Sequence, residues 1–300
     1  MPEPQVVAVV VNWNGKEHLR ECLSSLDEQD YEGLRIIVVD NASSDGSPDL
    51  VRRDFPGVSL VENASNEGYA SGANRGLHEA REMGADYVLL LNNDLRLASD
   101  AVRALVAAFP ENPRAAFVGP KIYYADRPDV IWSFGGRISW WTGNIYHVGL
   151  RERDEGQYSR PVSCDYVTGC AVMIALDALD EIGPMDTGYF MYNEDTDWCV
   201  RASRLGYDVV VTPRARIWHK VSMSSGGGLT PFKIYHRFRS TLRFFGLYAR
   251  PYHWIGIVPA TMARTAAFAL RELLAGRTRN VGALSRGALD SIRGSGRETT

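Results

Sequence analysis

The sequence predicts an α/β protein built on a parallel sheet, and three features predict it. The runs VVAVVV (6–11) and RIIVVD (35–40) are β-branched without polar alternation, as strands covered on both faces should be. Between them Leu19, Cys22, Leu23 and Leu26 recur at i, i+3, i+4 and i+7, the spacing of an amphipathic helix. Strand and helix signals then alternate up to residue 97, the βαβ rhythm of a parallel sheet.

The remaining elements follow in order. A crossover at 47–56 opens with Ser-Pro, which suits a helix start, and leads to a strand in VSLVEN (58–63). A helix is expected over about 70–83, then a strand in YVLLLNND (87–94) whose apolar run stops abruptly at polar residues, then a helix near 99–109. Residues 117–175 carry short strand signals, many aromatics and Gly135-Gly136, and give no firm boundaries. EDTDWCVRASRLG (194–206) reads as a helix that opens with three acids and closes at Gly206, followed by the strand DVVVTP. The organisation expected is a nucleotide-binding half (1–97), a second half (98–230) and a distinct extension (231–300).

At 300 residues and 45% hydrophobic, the chain can bury a large core. Four cysteines show no CxxC pair and no zinc-ligand spacing, so reduced core thiols and a cytoplasmic location are expected. MPEPQVV has no positively charged start and its apolar run is short, which marks a strand and not a signal peptide. The net charge of −3 hides an asymmetry: from Lys233 to Thr300 there are 12 Lys and Arg against three acids. In that tail WIGIVPATMA is interrupted by Arg264, short of the ~20 apolar residues a membrane span needs. Interleaved arginines and aromatics over 231–275 suit the surface of an anionic membrane. The alternative is helices packed on the catalytic domain or against another subunit, which leaves a homo-oligomer open. Nucleic-acid binding is not expected, because the basic tail is aromatic and amphipathic and the rest of the chain is acidic.

The chemistry-bearing signals cluster where strands end. Ligands of open parallel sheets bind beyond the carboxyl ends of strands. VVVNWNG, VVDNASSDGS and LLLNNDLRL all finish in polar residues that would line one rim. Turn chemistry alone explains Asn41, Ser43, Asp45, Gly46 and Ser47 taken singly, so the case rests on the three rims in register. Asn92 and Asp94, two residues apart, could meet a diphosphate through Mg²⁺ or Mn²⁺, cations that favour carboxylate, water and phosphate oxygens. Asn193-Glu194-Asp195 with Asp197 crowds three carboxylates behind the aromatic run GYFMY, and like charges raise a carboxylate pKa toward general-base use. Acids in a first helical turn are also ordinary dipole complements. His219 precedes a Ser/Gly-rich stretch, SMSSGGG, with the composition of a lid.

In this order VVVNWNG, IIVVDNASSDGS, NEGYASGANRG, LLLNNDLRL, VTGCAVMI, GPMDTGYFMYNEDTDWCVRASRLGY and WHKVSMSSGG resemble the family-2 glycosyltransferases, in particular their rhamnosyltransferase-like branch, from about Val6 to Arg243. The resemblance implies an A-type glycosyltransferase fold around a mixed, mainly parallel sheet, and inverting transfer of a sugar from a nucleotide donor to a glycan or lipid-linked saccharide. It implies Asp40 at the donor base with Asn12 nearby, and Asn41, Asn66, Gly68, Asn74, Asn92 and Asn93 around the donor. It gives Asp94 and His219 to a divalent cation, Asp195 to general-base catalysis with Glu194 beside it, and Gly169, Tyr192 and Trp218 to the acceptor side. Asn92 stands where many relatives have the first Asp of a DxD pair, which leaves one carboxylate for the cation and mildly favours a deoxyhexose donor such as dTDP-L-rhamnose. Other donors considered are UDP-GlcNAc, UDP-Gal and GDP-Man. Nucleotidyl transfer fits poorly, since VNWNGKEHLR offers a single Gly and Lys16 as a phosphate loop. A non-catalytic nucleotide-sugar-binding subunit is the remaining alternative.

Overall fold

The computed structural model describes residues 3–220 and 229–293, so the Ser/Gly stretch after His219 lies outside the described residues. The chain divides into two compact units: Met1–Arg137, His147–Thr187 and Glu194–Ser225 form one, and Ile138–Tyr146, Gly188–Asn193 and Gly226–Thr300 the other.

The first unit opens with β1 (Val6–Asn12), α1 (Lys16–Asp27), β2 (Leu34–Asp40), α2 (Ser47–Asp54), β3 (Ser59–Glu62), α3 (Tyr69–Glu82) and β4 (Tyr87–Asn92), in the expected order. β1 is buried along its whole length. One of its faces, Val6, Ala8 and Val10, joins the core formed with Leu19, Cys22, Leu23 and Leu26 of α1. Burying each such leucine contributes roughly 1.5–3 kcal/mol. On the other face α3 approaches so closely that a Cβ at Gly76 would lie 2.1 Å from Val9 Cγ1.

Next come β5 (Leu95–Leu97), α4 (Ala101–Val106), α5 (Ala108–Glu111), β6 (Ala115–Tyr124), β7 (Ile131–Ser133), β8 (Gly136–Ser139), β9 (Asn144–His147), β10 (Val162–Ser163), β11 (Ala171–Ala175), α6 (Leu179–Ile182), α7 (Glu194–Arg204) and β12 (Asp208–His219). The main sheet has the order β10-β12-β6-β11-β4-β1-β2-β3, with β5 on β12 and β7 on β6. β1–β4 pair in parallel, β11 runs antiparallel between β4 and β6, and β12 is parallel to β6. The sheet is therefore mixed and mainly parallel. The helix expected near 99–109 is broken at Ala107 into α4 and α5, with Pro110 inside the second. β12 is longer than DVVVTP: it continues to His219 past a register shift between Thr212 and Arg216, where Pro213 has no N–H for the ladder.

In the second unit α8 (Pro231–Tyr248), α9 (Trp254–Leu274) and α10 (Thr278–Arg293) follow one another, with a short 3₁₀ turn at Pro251–His253. Thr230 caps α8 by accepting from Lys233 N, and Pro231 occupies its first turn. Ile234, Ala283 and Leu284 form a small core with Tyr235, Phe238 and Phe268 around it. Trp140 stacks on Phe244 and His253, and Arg264 donates to the carbonyls of Thr142 and Gly143. Among the described residues no helix is long and apolar enough to cross a membrane.

Candidate active site

Parallel pairing sets the polar strand ends side by side, with Asn12 opposite Asp40 and Val11 opposite Asn92. Asn12, Asp40, Asn41, Asn93 and Asp94 are all buried, so each needs partners. Asn93 Nδ2 donates to Asn12 Oδ1 at 2.6 Å, and Asn12 Nδ2 donates to Asp40 Oδ2 at 2.7 Å and to Ser43 Oγ at 3.2 Å. Ser43 N closes the relay on Asp40 Oδ1 at 2.7 Å. Both Asp40 oxygens are thus engaged within the chain. Asp45 Oδ2 accepts from Lys16 N at 2.8 Å and ties the same turn to the start of α1.

The loop before α3 is fixed to this rim. Asn41 Nδ2 donates to the Gly68 carbonyl at 3.2 Å and Asn41 Oδ1 accepts from Asn63 Nδ2 at 2.8 Å. Asn66 Oδ1 accepts from Gly68 N at 3.0 Å, and Gly68 adopts φ 90°, a conformation that favours glycine. Asn74 is turned elsewhere: its side-chain amide clamps the backbone N–H and C=O of Met185, both at 2.9 Å.

Pairing of β5 with β12 sets His219 opposite Leu95 and brings it to Asp94. His219 Nε2 stands 3.2 Å from Asp94 Oδ1, both side chains being buried. Beyond this imidazole, Asp94 Oδ1 has no hydrogen-bond partner. Burial disfavours the imidazolium, but neighbouring Cys170 and Asp94 outweigh it and hold the His219 pKa up at about 10. Two adjacent ligands of an octahedral cation with ~2.1 Å bonds stand ~3.0 Å apart, so the 3.2 Å between Asp94 Oδ1 and His219 Nε2 is the spacing of two ligands of a divalent ion once the imidazole has given up its proton. No group of three or more His, Cys, Asp or Glu suited to a metal forms among the described residues. An ion held there would therefore need further ligands from outside these residues to complete its shell. Trp132 sets its ring edge-on to His219, with centroids 4.7 Å apart. Trp218, one residue earlier on β12, does not join this group: strand alternation turns it to the other face, where Arg96 lies 4.3 Å over its ring and its Nε1 donates to the Pro128 carbonyl.

At the start of α7, Asp195 Oδ2 accepts from Gly169 N at 2.7 Å, and Oδ1 accepts from Thr196 N at 2.6 Å and Thr196 Oγ1 at 3.1 Å. Gly169 permits this, because a Cβ there would press on Asp195 Cβ at 3.2 Å. Burial raises the Asp195 pKa against the lowering effect of these donors. Glu194, buried with Oε2 unpartnered, is pushed up to about 8 by burial and then by the charge of Asp195. Asp197 is instead paired with Arg201 at 2.9 Å. Tyr192 and Asn193 have φ 70° and 66°, two successive non-glycine residues in the left-handed region immediately before the acids. Such strain costs ~1–3 kcal/mol per residue and is concentrated at functional turns.

Tyr69, not singled out from the sequence, joins the groups. Its hydroxyl donates to the Gly169 carbonyl, and burial followed by the charges of Cys170, Glu194, Asp195 and Asp94 raises its pKa well above the ordinary value. The one signal available was its place directly after the helix-opening Gly68. Cys170, expected as a core thiol, lies beside His219. All four cysteines are buried and free.

The family model described as glycosyl transferase family 2 matches residues 7–183. Among curated proteins, the chain is 28% identical over 239 residues to an N-acetylglucosaminyl-diphospho-decaprenol L-rhamnosyltransferase of Mycobacterium tuberculosis, covering 73% of this chain and 76% of that protein. It is 26% identical over 224 residues to the dTDP-rhamnosyl transferase RfbF of Shigella flexneri, covering 73% and 70%. Among solved structures, GalNAc-T7 with UDP, GalNAc and Mn²⁺ superposes with a TM-score of 0.65 at 17% identity, over 83% of this chain and 49% of that one. The mannosyltransferase PcManGT from Pyrobaculum calidifontis, in complex with GDP-Man and Mn²⁺, gives 0.61 at 19% identity, over 98% and 89%. At these identities the structures speak for the fold alone, which is the A-type glycosyltransferase fold. The chain belongs to glycosyl transferase family 2 and is a glycosyltransferase.

Proposed function

We propose that this glycosyltransferase moves L-rhamnose from dTDP-L-rhamnose to a hydroxyl of a glycan or lipid-linked saccharide, with inversion and with the help of a divalent cation. The observation that carries the reading is the buried pairing of Asp94 Oδ1 with His219, with the Glu194–Asp195 pair joined to the same region through Gly169 and Tyr69. Two relatives named as rhamnosyltransferases favour the donor. Mn²⁺ in two structures of the same fold favours the cation.

In this reading residues 1–97 bind the nucleotide, 98–230 the acceptor, and 231–300 form an extension. Asn12, Asp40, Asn41, Asn66, Gly68, Asn92 and Asn93 shape the rim that receives the nucleotide, and Gly169 borders the acceptor. Asp94 and His219 would hold Mg²⁺ or Mn²⁺, which when bound neutralises the charge growing on the departing diphosphate. Asp195, steadied by Gly169 N–H, takes the proton of the acceptor hydroxyl as that oxygen attacks the anomeric carbon opposite the leaving group. Glu194, protonated near neutrality, keeps the pair at a single negative charge. Four reduced thiols fit a cytoplasmic reaction.

Thermal-shift titration against dTDP-L-rhamnose, UDP-GlcNAc, UDP-Gal and GDP-Man, with and without Mn²⁺, tests the donor and the cation together. Stabilisation should be greatest with dTDP-L-rhamnose plus Mn²⁺. Preference for another nucleotide sugar sinks the donor assignment, and indifference to the cation sinks the role of Asp94 and His219. Asp195→Asn should lower turnover by roughly 10²–10⁴-fold with donor affinity nearly intact; full turnover in that variant removes Asp195 as the base.

A further inference from the structure

α9 packs by one side only. Ile257 is buried, Phe268 meets the small helical core and Arg264 reaches the carbonyls of Thr142 and Gly143. On the opposite side Ile255, Met262, Ala266 and Leu273 recur at i, i+7, i+11 and i+18, within about 20° of one line along the helix. Ile255 is 78%, Met262 68% and Leu273 52% exposed, and Val258 and Leu270 widen the stripe. Across the 21 residues of α9 the charged side chains are Arg264, Arg271 and Glu272, and none lies in this arc. A surface helix ordinarily turns charged residues to water, so this one is built the wrong way round for a free solvent face.

Electrostatics decides what covers it. From Lys233 to Thr300 there are 12 Lys and Arg against three acids. Glu272 is 1% exposed and bound by Arg277 and Asn280, while Asp290 accepts from Tyr235. Arg237, Arg243, Arg250, Arg279 and Arg286 are exposed. A second copy of this unit would set like charge against like charge, whereas an anionic surface is complementary. At the N-terminal end of α9 stand the exposed rings of Trp141 and Tyr252, 5.9 Å apart, the residue types that favour a membrane–water boundary.

We propose that the outer face of α9 is a docking surface for an anionic lipid bilayer, with the stripe from Ile255 to Leu273 seated among acyl chains and the exposed arginines of the same unit drawn to headgroup phosphates. The surface does not depend on the donor or on transfer, so vesicle binding tests it apart from the catalytic proposal.

The full chain is to be sedimented with vesicles of phosphatidylcholine alone and of phosphatidylcholine with roughly one-third phosphatidylglycerol. Binding is expected to be at least about tenfold tighter to the anionic vesicles and to weaken with salt. The triple variant Ile255→Asp/Met262→Asp/Leu273→Asp alters only exposed side chains; it should keep its circular dichroism and lose binding by about tenfold or more. Arg279→Gln/Arg286→Gln should weaken binding to anionic vesicles and leave the neutral baseline unchanged. Absence of wild-type binding overturns the proposal, as does binding that the triple variant retains. A wild-type dimer that the triple variant makes monomeric, without vesicle binding, assigns the face to a second copy and overturns it equally.

Discussion

Replacing Glu194 by Gln tests the electrostatics of the carboxylate pair directly. Glu194 is buried, its Oε2 has no partner, and its pKa is raised from about 4.5 to about 8 by burial and by Asp195. A carboxyl with a raised folded-state pKa binds more protons folded than unfolded. Its contribution to stability is complete below about pH 4.5 and is lost as pH rises toward about 8. One proton gives a slope of at most ~1.4 kcal/mol per pH unit across that window. For a domain of this size ~1 kcal/mol moves Tm by ~2–4 °C, so the pair should lower Tm by up to ~3–5 °C per unit. Gln has nearly the same volume and cannot ionise. Glu194→Gln should therefore flatten the decline between pH 5 and 8 and be the more stable protein at pH 8. Scanning fluorimetry of both proteins at half-unit pH steps measures this, and two parallel Tm profiles would refute the burial-driven shift.

Two further outcomes follow from other features. The His219 pKa is held up at about 10 beside Asp94, so His219 would have to lose its proton to bind the proposed cation; Mn²⁺ affinity measured calorimetrically at pH 6, 7 and 8 should then rise with pH by as much as about tenfold per unit, and a flat series counts against His219 as a ligand. Gly76→Ala puts a methyl 2.1 Å from Val9 Cγ1 and 3.2 Å from Val39 Cγ2, which should destabilise by ~1–3 kcal/mol in urea unfolding; a neutral or stabilising effect would contradict the tight seat of α3 on β1.

The first half was legible in the sequence because its signals are local. β-branched runs buried on both faces mark β1 and β2, and the three polar strand ends announce the rim before any fold is known. What was hidden depends on partners far away in the chain. Tyr69 reaches Gly169 across a hundred residues, and the meeting of His219 with Asp94, expected from the family resemblance alone, comes about because a three-residue strand, β5, pairs with the end of β12. β5 is too short for its own periodicity to register. Trp218, aromatic and adjacent to His219, faces away from it, because a shift of one residue along a strand reverses the face. Asn74 similarly lies in a motif near the rim but spends its amide on Met185.

The relay from Asn93 through Asn12 to Asp40 and Ser43 joins loops that leave three separate strands. Loops so joined do not vary one at a time. Removing the Asn93 or the Asp40 side chain takes a partner from the buried Asn12 amide on the neighbouring strand end, so these strand ends constrain one another. A rim tied together in this way is a fixed frame, and changes that leave the fold intact are expected in the side chains outside the relay.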